Sequence, residues 1–149
     1  MTLQEILSEK GTRVHTIEAE ATLVEAVERL VEHNVGSLLV CRTGHCDNRP
    51  QIEGIVTERD VLRALAGRGG RLDDLRVRDV MTSKLVTASP TDDVGAVMGL
   101  MTDHRVRHMP IIADDGRLAG MISIGDVVKS QHNSMVLENH FLKSYLHGQ

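Results

Sequence analysis

The pattern of apolar and polar residues predicts that the first half of this chain alternates between short strands and helices. Residues 2–8 have the composition of a short helical turn, and the alternation over 13–17 predicts a strand. The aliphatic run 35–41 is too continuous for an exposed edge strand, and 52–56 is predicted as the strand that leads into the first of two repeated motifs. These strands need amphipathic helices to cover them.

Two such helices are predicted in the same half. Thr22, followed three residues later by Glu25, predicts the start of the first helix, and Asn34 predicts its end. Its predicted inward face is Leu23, Ala26, Val27, Leu30 and Val31. The second helix is predicted over 58–66 and ends at Gly67. Its predicted inward residues are Val61, Leu62 and Leu65.

The same order of elements recurs after a polar, glycine-rich stretch at 67–74. Three more strands are predicted, at 85–87, 105–112 and 118–122. Asp93 is the predicted start of the helix between the first two, with an inward face of Val94, Val97, Met98 and Met101. A tight turn is predicted at 114–116, and a last helix from about Asp126 toward His132.

The two halves are two copies of one pattern. Residues 14–41 match 85–112 at an offset of 71, whereas 54–60 match 120–126 at an offset of 66. The difference between 71 and 66 leaves five extra residues in one loop of the first copy. Two half-domains that cannot bury their apolar faces alone must pack together, which predicts a pseudo-twofold cleft between them.

The clearest repeated unit is a Gly-x-x-Thr/Ser-x-x-Asp motif after the last strand of each copy. Thr57 with Asp60, and Ser123 with Asp126, have the spacing of a capping box, which stabilises the start of a helix without any ligand. The same groups suit a nucleotide, because a helix start offers N–H groups to phosphate and a carboxylate accepts hydrogen bonds from ribose hydroxyls. The two roles are compatible, and the duplication favours a ligand in addition to the cap.

Composition excludes several classes of function. The formal charge of −4 and the pI near 6.0 argue against a general nucleic-acid or membrane-surface binder. Phe141 and Tyr145 are the only aromatic residues, which disfavours base stacking. Because the chain has neither a signal-peptide pattern at its start nor eighteen consecutive apolar residues, we expect a cytoplasmic location.

The two cysteines, Cys41 and Cys46, are too few for a disulfide framework. Their spacing, with His45 between them, is compatible with a redox pair or with half of a metal site, although the second ligand pair of a zinc site is missing. We expect a buried Cys41 at a strand end and a solvent-facing Cys46.

The chain resembles a tandem pair of CBS domains, also called a Bateman module. The resemblance is carried by Val77-Arg78-Asp79-Val80-Met81-Thr82, by Val106-Arg107-His108-Met109-Pro110-Ile111-Ile112 and by the two motifs above. It covers residues 3–129. It implies an α/β (α+β) fold of two β-α-β-β-α repeats, packed sheet to sheet with pseudo-twofold symmetry. It also implies a homodimer that binds adenosine nucleotides in the clefts between repeats.

On this resemblance the chain divides into four parts. Repeat 1 with its lead-in occupies residues 1–67 and is followed by a linker at 68–76. Repeat 2 occupies 77–131, and a C-terminal helical tail occupies 132–149. The tail carries Leu137, Phe141, Leu142 and Tyr145 at helical spacing. We expect it to pack on the core or on a second subunit, with docking of an enzyme partner as the alternative.

The resemblance also assigns ligand contacts, residue by residue. Asp60 and Asp126 correspond to family contacts with the ribose hydroxyls, and Thr57 and Ser123 to contacts with phosphate or ribose. Positions before the middle strand of each repeat line family sites, and these are Val35, Gly36, Ser37, Val106, Arg107 and His108. His15 occupies a position that contacts the base in the family.

Three of these residues are candidates for neutralising phosphate: Arg59, Arg107 and His108. The arginines at 105 and 107 are equally compatible with solvated charges at a strand edge, and His108 with a partly buried, hydrogen-bonded histidine. Because repeat 1 has Arg59 where repeat 2 has Gly125, we expect the two sites to differ in affinity.

The favoured function is a non-catalytic regulatory module without a cofactor. It binds an adenine nucleotide such as AMP, ADP or ATP and acts in trans on an unidentified partner protein. One alternative is a redox or metal-dependent enzyme that uses Cys41, Cys46 and some of the eight histidines. No nucleophile, base and orienting group stand together at a recognisable spacing to favour it. The other alternative is a structural dimer without a ligand.

Overall fold

The computed structural model describes residues 1–47, 49–68 and 71–148. Its helices are α1 (Leu3–Lys10), α2 (Leu23–His33), α3 (Glu58–Gly67), α4 (Val77–Val80), α5 (Val94–His104) and α6 (Ile124–Leu146). Its strands are β1 (Thr16–Glu18), β2 (Ser37–Cys41), β3 (Ile52–Thr57), β4 (His108–Ile112) and β5 (Leu118–Ser123). The mixed α+β fold predicted from the sequence is confirmed. Gly69 and Gly70 of the predicted linker lie outside the described residues.

The chain forms two compact units that divide it differently from the two repeats. The first unit is Arg13–Leu85, and the second unit joins Met1–Thr12 to Val86–Gln149. The segment that precedes each repeat therefore packs within the unit of the other repeat. A β-bridge joins Thr2 to Asp93 in the second unit, and the corresponding bridge in the first unit joins Thr22 to Arg76.

The first unit contains a three-stranded sheet in the order β1-β2-β3. β1 pairs parallel to β2, and β2 pairs antiparallel to β3. Helix α2 begins where the sequence predicts, because the Thr22 side chain accepts a hydrogen bond from the Glu25 N–H, and it ends at Asn34 in the left-handed conformation with φ 51°. The buried core of this unit comprises Ile17, Ala19, Leu23, Ala26, Leu30, Leu38, Val40, Val56, Val61, Leu75 and Val77.

The second unit contains a two-stranded sheet, so the strand predicted at 85–87 is wrong. In its place, a single parallel bridge joins Ala88 to Ile111. The repeat alignment supplies the reason. In the first unit the Leu39 N–H donates to the His15 carbonyl, but the residue aligned with Leu39 is Pro110, which has no N–H to donate. The parallel ladder is therefore too short to define a strand.

Two residues predicted to face inward are exposed. Val31 on α2 is 76% exposed and Leu62 on α3 is 65% exposed. Each lies about 100° around its helix from the residues that are buried, since successive positions turn by about 100°. The buried part of each helix face is therefore narrower than its apolar stripe. The face predicted for α5 is confirmed, with Val94, Val97 and Met101 buried and Met98 partly buried.

The last helix joins two parts that were predicted separately, the helix from about Asp126 toward His132 and the helical tail at 132–149. It starts after the cap Ser123 and continues without a break to Leu146. Val127 and Ser130 are buried, but beyond residue 134 the helix extends past the core. Its exposed apolar residues there are Met135, Val136, Leu137, Phe141, Leu142, Tyr145 and Leu146. In the described chain no helix has the length and apolarity that a membrane span requires.

Candidate functional site

The first motif lies where β3 ends and α3 begins. The Thr57 N–H donates to Asp60 Oδ2 at 2.9 Å, and the Thr57 hydroxyl donates to the same oxygen at 3.1 Å. In return the Asp60 N–H donates to Thr57 Oγ1 at 3.3 Å. The predicted capping box is confirmed, and both side chains are half-buried. The motif thus holds its carboxylate in a fixed position at the positive end of α3.

Four further residues were predicted for the first site, and two of them, Gly36 and Ser37, lie directly beside this motif. The Gly36 carbonyl accepts a hydrogen bond from the Glu58 N–H at 3.1 Å, and Ser37 pairs with Thr57 across the sheet. Ser37 is buried and Val35 is half-buried. Arg59 is exposed on the first turn of α3. The antiparallel pairing of β2 with β3 therefore brings the start of one strand to the end of the other.

The second motif repeats this geometry in the second unit. The Ser123 N–H donates to Asp126 Oδ2 at 2.8 Å, and the Asp126 N–H donates to Ser123 Oγ at 3.2 Å. The Arg107 carbonyl accepts from the Ile124 N–H at 2.8 Å, and His108 pairs with Ser123. Val106 and His108 are half-buried, whereas the Arg107 side chain is exposed.

Each of the two carboxylates also has one oxygen that its helix cap does not use. The hydrogen bonds of Asp60 and Asp126 all go to Oδ2, so within the described residues Oδ1 of each carboxylate has no partner. Asp60 and Asp126 remain half-buried. A partly desolvated carboxylate oxygen is a strong acceptor for a hydroxyl group. Each motif can therefore accept at least one hydroxyl without giving up its helix cap.

The two motifs differ in one charged contact that the sequence analysis missed. Lys10, at the end of α1, donates to Asp126 Oδ2 at 2.7 Å and to the Met121 carbonyl at 2.8 Å. Burial raises the pKa of Asp126, but hydrogen bonds from Lys10 and Ser123 outweigh it and hold the pKa below the ordinary value of 3.8. No sequence signal pointed to this contact, because Lys10 lies beyond the helical turn predicted over 2–8 and is 116 positions from Asp126.

His15 forms a contact with a second histidine. Its ring stacks on that of His33, with centroids 4.1 Å apart and an interplanar angle of 21°. Burial lowers the pKa of His15, and the nearby His33 and Arg13 lower it further. The neutral imidazole that results can donate and accept hydrogen bonds, as contact with a base requires.

The cysteines differ from their predicted state. Cys41 is buried at the end of β2, as expected, but Cys46 is half-buried and bonded to Cys41 in a disulfide with Cα atoms 5.4 Å apart. The five-residue insertion turns back on the strand and brings the two together. A bonded sulfur is not a thiolate ligand, so the half-metal-site hypothesis does not fit this state. The described residues contain no group of three or more metal-binding side chains.

Comparison with known proteins identifies the class to which this fold and these repeated motifs belong. The family model described as CBS domain matches the chain twice, over residues 4–67 and 77–133. This protein therefore belongs to the CBS-domain family and contains two repeats of the domain.

Particular relatives support this membership. The chain is 40% identical over 129 residues to the CBS domain-containing protein CBSX3, mitochondrial, of Arabidopsis thaliana. That match covers 85% of this chain and spans 61% of the length of the plant protein. The crystal structure of the CBS-domain containing protein ATU1752 from Agrobacterium tumefaciens matches with a TM-score of 0.80 and 35% identity, covering 87% of this chain and 92% of that one.

A more distant structure shares the fold. It is the CBS domain pair of protein MJ0100, solved in complex with 5-methylthioadenosine and S-adenosyl-L-methionine. It has a TM-score of 0.75 and 21% identity, and the match covers 90% of this chain and 98% of that one. At this identity the likeness concerns the fold alone.

Proposed function

We propose that this protein is a non-catalytic regulatory module that binds an adenine nucleotide through its two motifs and acts in trans on a partner protein. The observation that carries the proposal is the duplicated carboxylate at a strand-to-helix junction. Asp60 and Asp126 are each held by a capping hydroxyl residue, and each keeps Oδ1 available to a ribose hydroxyl. CBS pairs are generally regulatory modules, and the MJ0100 pair shows that the fold can hold adenosine compounds.

The proposed site combines these carboxylates with residues that lie beside them. Thr57 and Ser123 each offer a hydroxyl at the positive end of a helix to phosphate or ribose. The backbone of Gly36 and Arg107 is fixed next to each helix start by a hydrogen bond. Without an aromatic residue beside either motif, adenine is held by aliphatic contacts and backbone hydrogen bonds.

Regulation requires that the ligand distinguish two states of the protein. A ligand that binds both states equally shifts no population. We propose that nucleotide binding at the helix starts favours one packing of the chain, which the partner recognises. A homodimer and a cytoplasmic location are part of the same proposal. Light scattering on the purified protein and fractionation of its cells test these two points.

The binding experiment removes the charge of the two motif carboxylates while keeping their helix caps. Asp60→Asn with Asp126→Asn keeps an acceptor for each cap but removes the charge that grips the ribose. We expect AMP, ADP or ATP to raise the Tm of the parent by mass action, and the double variant to lose that rise. The matched control is Asp79→Asn, because Asp79 accepts from the Arg76 N–H at 2.8 Å in a capping box outside both motifs.

The outcome is read as the ligand-induced change in Tm, because the substitutions themselves can lower the Tm. The control should respond to nucleotide as the parent does. A double variant that keeps the full response would show that the carboxylates do not bind the ligand. A parent that responds to none of the three nucleotides would contradict the proposed function itself.

A further inference from the structure

Among the residues that the structure describes, Lys10 makes the charged contact that distinguishes the second motif from the first. It lies on α1, which packs within the second unit through Leu3, Ile6 and Leu7. Its ammonium group is fixed by two acceptors, Asp126 Oδ2 and the Met121 carbonyl. The Lys10 side chain is 34% exposed and that of Asp126 is 24% exposed. The pair is thus partly removed from water, which strengthens its attraction.

At the first motif, the Thr57 hydroxyl donates to the carboxylate oxygen that corresponds to the one bound by Lys10. Asp60 Oδ2 accepts from the Thr57 N–H and from the Thr57 hydroxyl. A hydroxyl rotates about its C–O bond and can turn toward a new partner at little cost. Asp126 Oδ2 accepts from the Ser123 N–H and from the ammonium of Lys10. An ammonium with two acceptors cannot leave without breaking an ion pair.

A ribose offers two neighbouring hydroxyls, and in a bidentate contact each hydroxyl donates to a different oxygen of the carboxylate. At Asp60 the second oxygen becomes available when one hydroxyl rotates. At Asp126 it becomes available only when Lys10 withdraws. The first motif is therefore open to a diol, and the second is occupied by a side chain of the same protein.

We propose that Lys10 is an intramolecular latch that occupies the ribose-binding carboxylate of the second motif, so that the second site binds adenosine compounds more weakly than the first. This inference rests on the proposed function, since it assumes that Asp126 binds a ribose. It assigns the weaker of the two unequal sites to Asp126. It also makes α1 responsive to ligand, because a ribose that displaces Lys10 releases the end of that helix.

The test isolates one motif at a time and uses adenosine as its first probe. Adenosine carries no phosphate, so removing the charge of Lys10 changes only the competition for Asp126. In an Asp60→Asn background the remaining site is the second motif, and we expect Lys10→Met to tighten adenosine binding in calorimetry roughly fivefold, the range of one partly exposed ion pair. In an Asp126→Asn background we expect Lys10→Met to leave adenosine affinity unchanged.

The possible outcomes separate this inference from the proposed function. Equal or weaker adenosine binding after Lys10→Met in the Asp60→Asn background overturns the latch, as does an absence of binding in both proteins. If the parent and the Asp126→Asn variant bind neither adenosine nor ATP, the proposed function has failed instead. Glu9→Gln, at an exposed neighbour on α1, is the control for changes in that helix. The buried residues of α1 are untouched, so each variant should fold.

A second measurement follows the ammonium group directly. Amine-reactive labelling of the Asp60→Asn protein, read by mass spectrometry, should increase at Lys10 when adenosine is saturating. Lys129 and Lys143, exposed on α6, are the internal references and should not change. Protection of Lys10 would show that it contacts the ligand and would overturn the latch, and so would unchanged labelling.

Discussion

Cys41, buried at the end of β2, is joined by a disulfide to Cys46 in the loop that is five residues longer in the first repeat than in the second. The two residues lie at the end of β2 remote from Ser37, which pairs with Thr57 of the first motif. The bond therefore fixes the loop to the sheet on the side away from the candidate site. It stabilises the loop only under oxidising conditions, because a reducing compartment such as the cytoplasm proposed above opens it.

Reduction of this disulfide should destabilise the protein without changing its ligand response. A short loop of this kind contributes about 2 kcal/mol to the free energy of unfolding. For a chain of this size, that corresponds to a fall in Tm of roughly 4–8 °C. Thermal unfolding with and without a non-thiol reductant measures the change. Cys46→Ser should have the Tm of the reduced parent both with and without the reductant. A parent whose Tm does not change on reduction would contradict the prediction.

The ion pair between Lys10 and Asp126 should make stability depend on acid pH. Because the pKa of Asp126 is lowered in the folded state, the unfolded state takes up the proton first as the pH falls. The stabilisation is therefore present above 3.8, the ordinary value, and is lost as the pH falls through the lower folded value. We expect Asp126→Asn to lower the free energy of unfolding by on the order of 1 kcal/mol at pH 7. Below the pKa of Asp126 in the folded state, we expect almost no difference between variant and parent.

Urea unfolding of parent and variant at a series of pH values measures this difference. Asp79→Asn, which also changes an exposed capping carboxylate, is the control for the effect of the substitution on a helix cap. A cost for Asp126→Asn that stays constant down to pH 2 would show that the charge of Asp126 is not what stabilises the second unit.

Pro110 should be the residue that prevents a third strand in the second unit. Its counterpart in the first unit is Leu39, whose N–H donates to the His15 carbonyl. Pro110→Leu restores an N–H that can donate to the Val86 carbonyl. This hydrogen bond stabilises the folded state by about 1 kcal/mol, and the loss of the rigid proline offsets part of that gain. We expect little net change in stability but a protected amide at position 110. Hydrogen exchange measures it, and exchange as fast as in an exposed loop would contradict the explanation.

The apolar end of α6 should contribute little to folding of the single chain. Phe141 is 70% exposed and Leu142 is 58% exposed. Because neither side chain packs on the core, we expect Phe141→Ser and Leu142→Ser each to change the free energy of unfolding by less than about 0.5 kcal/mol. Val127→Ser, at a fully buried position of the same helix, is the contrast and should cost several times more. Urea unfolding at low protein concentration compares the three, and a large cost at Phe141 would mean that the tail is covered.

The sequence predicted correctly those elements that depend on contacts between residues only a few positions apart. The helix starts at Thr22 and Asp93 and both motifs follow from hydrogen bonds that span two or three positions. The errors have a different origin. Val31 and Leu62 have the right spacing for a helix face, but packing by the rest of the unit decides how much of that face is buried. The missing strand depended on an N–H that Pro110 could not supply to a distant segment.

The sequence by itself determined the duplication, the capped carboxylates and the family, because a repeated pattern and a local hydrogen bond are both written in neighbouring residues. Only the tertiary structure decided that each lead-in segment packs with the other repeat, that Cys46 reaches Cys41, and that Lys10 reaches Asp126 over 116 positions. The physical reason is that contacts between distant segments depend on how the chain closes its loops and fills its cores. No short run of residues contains that information.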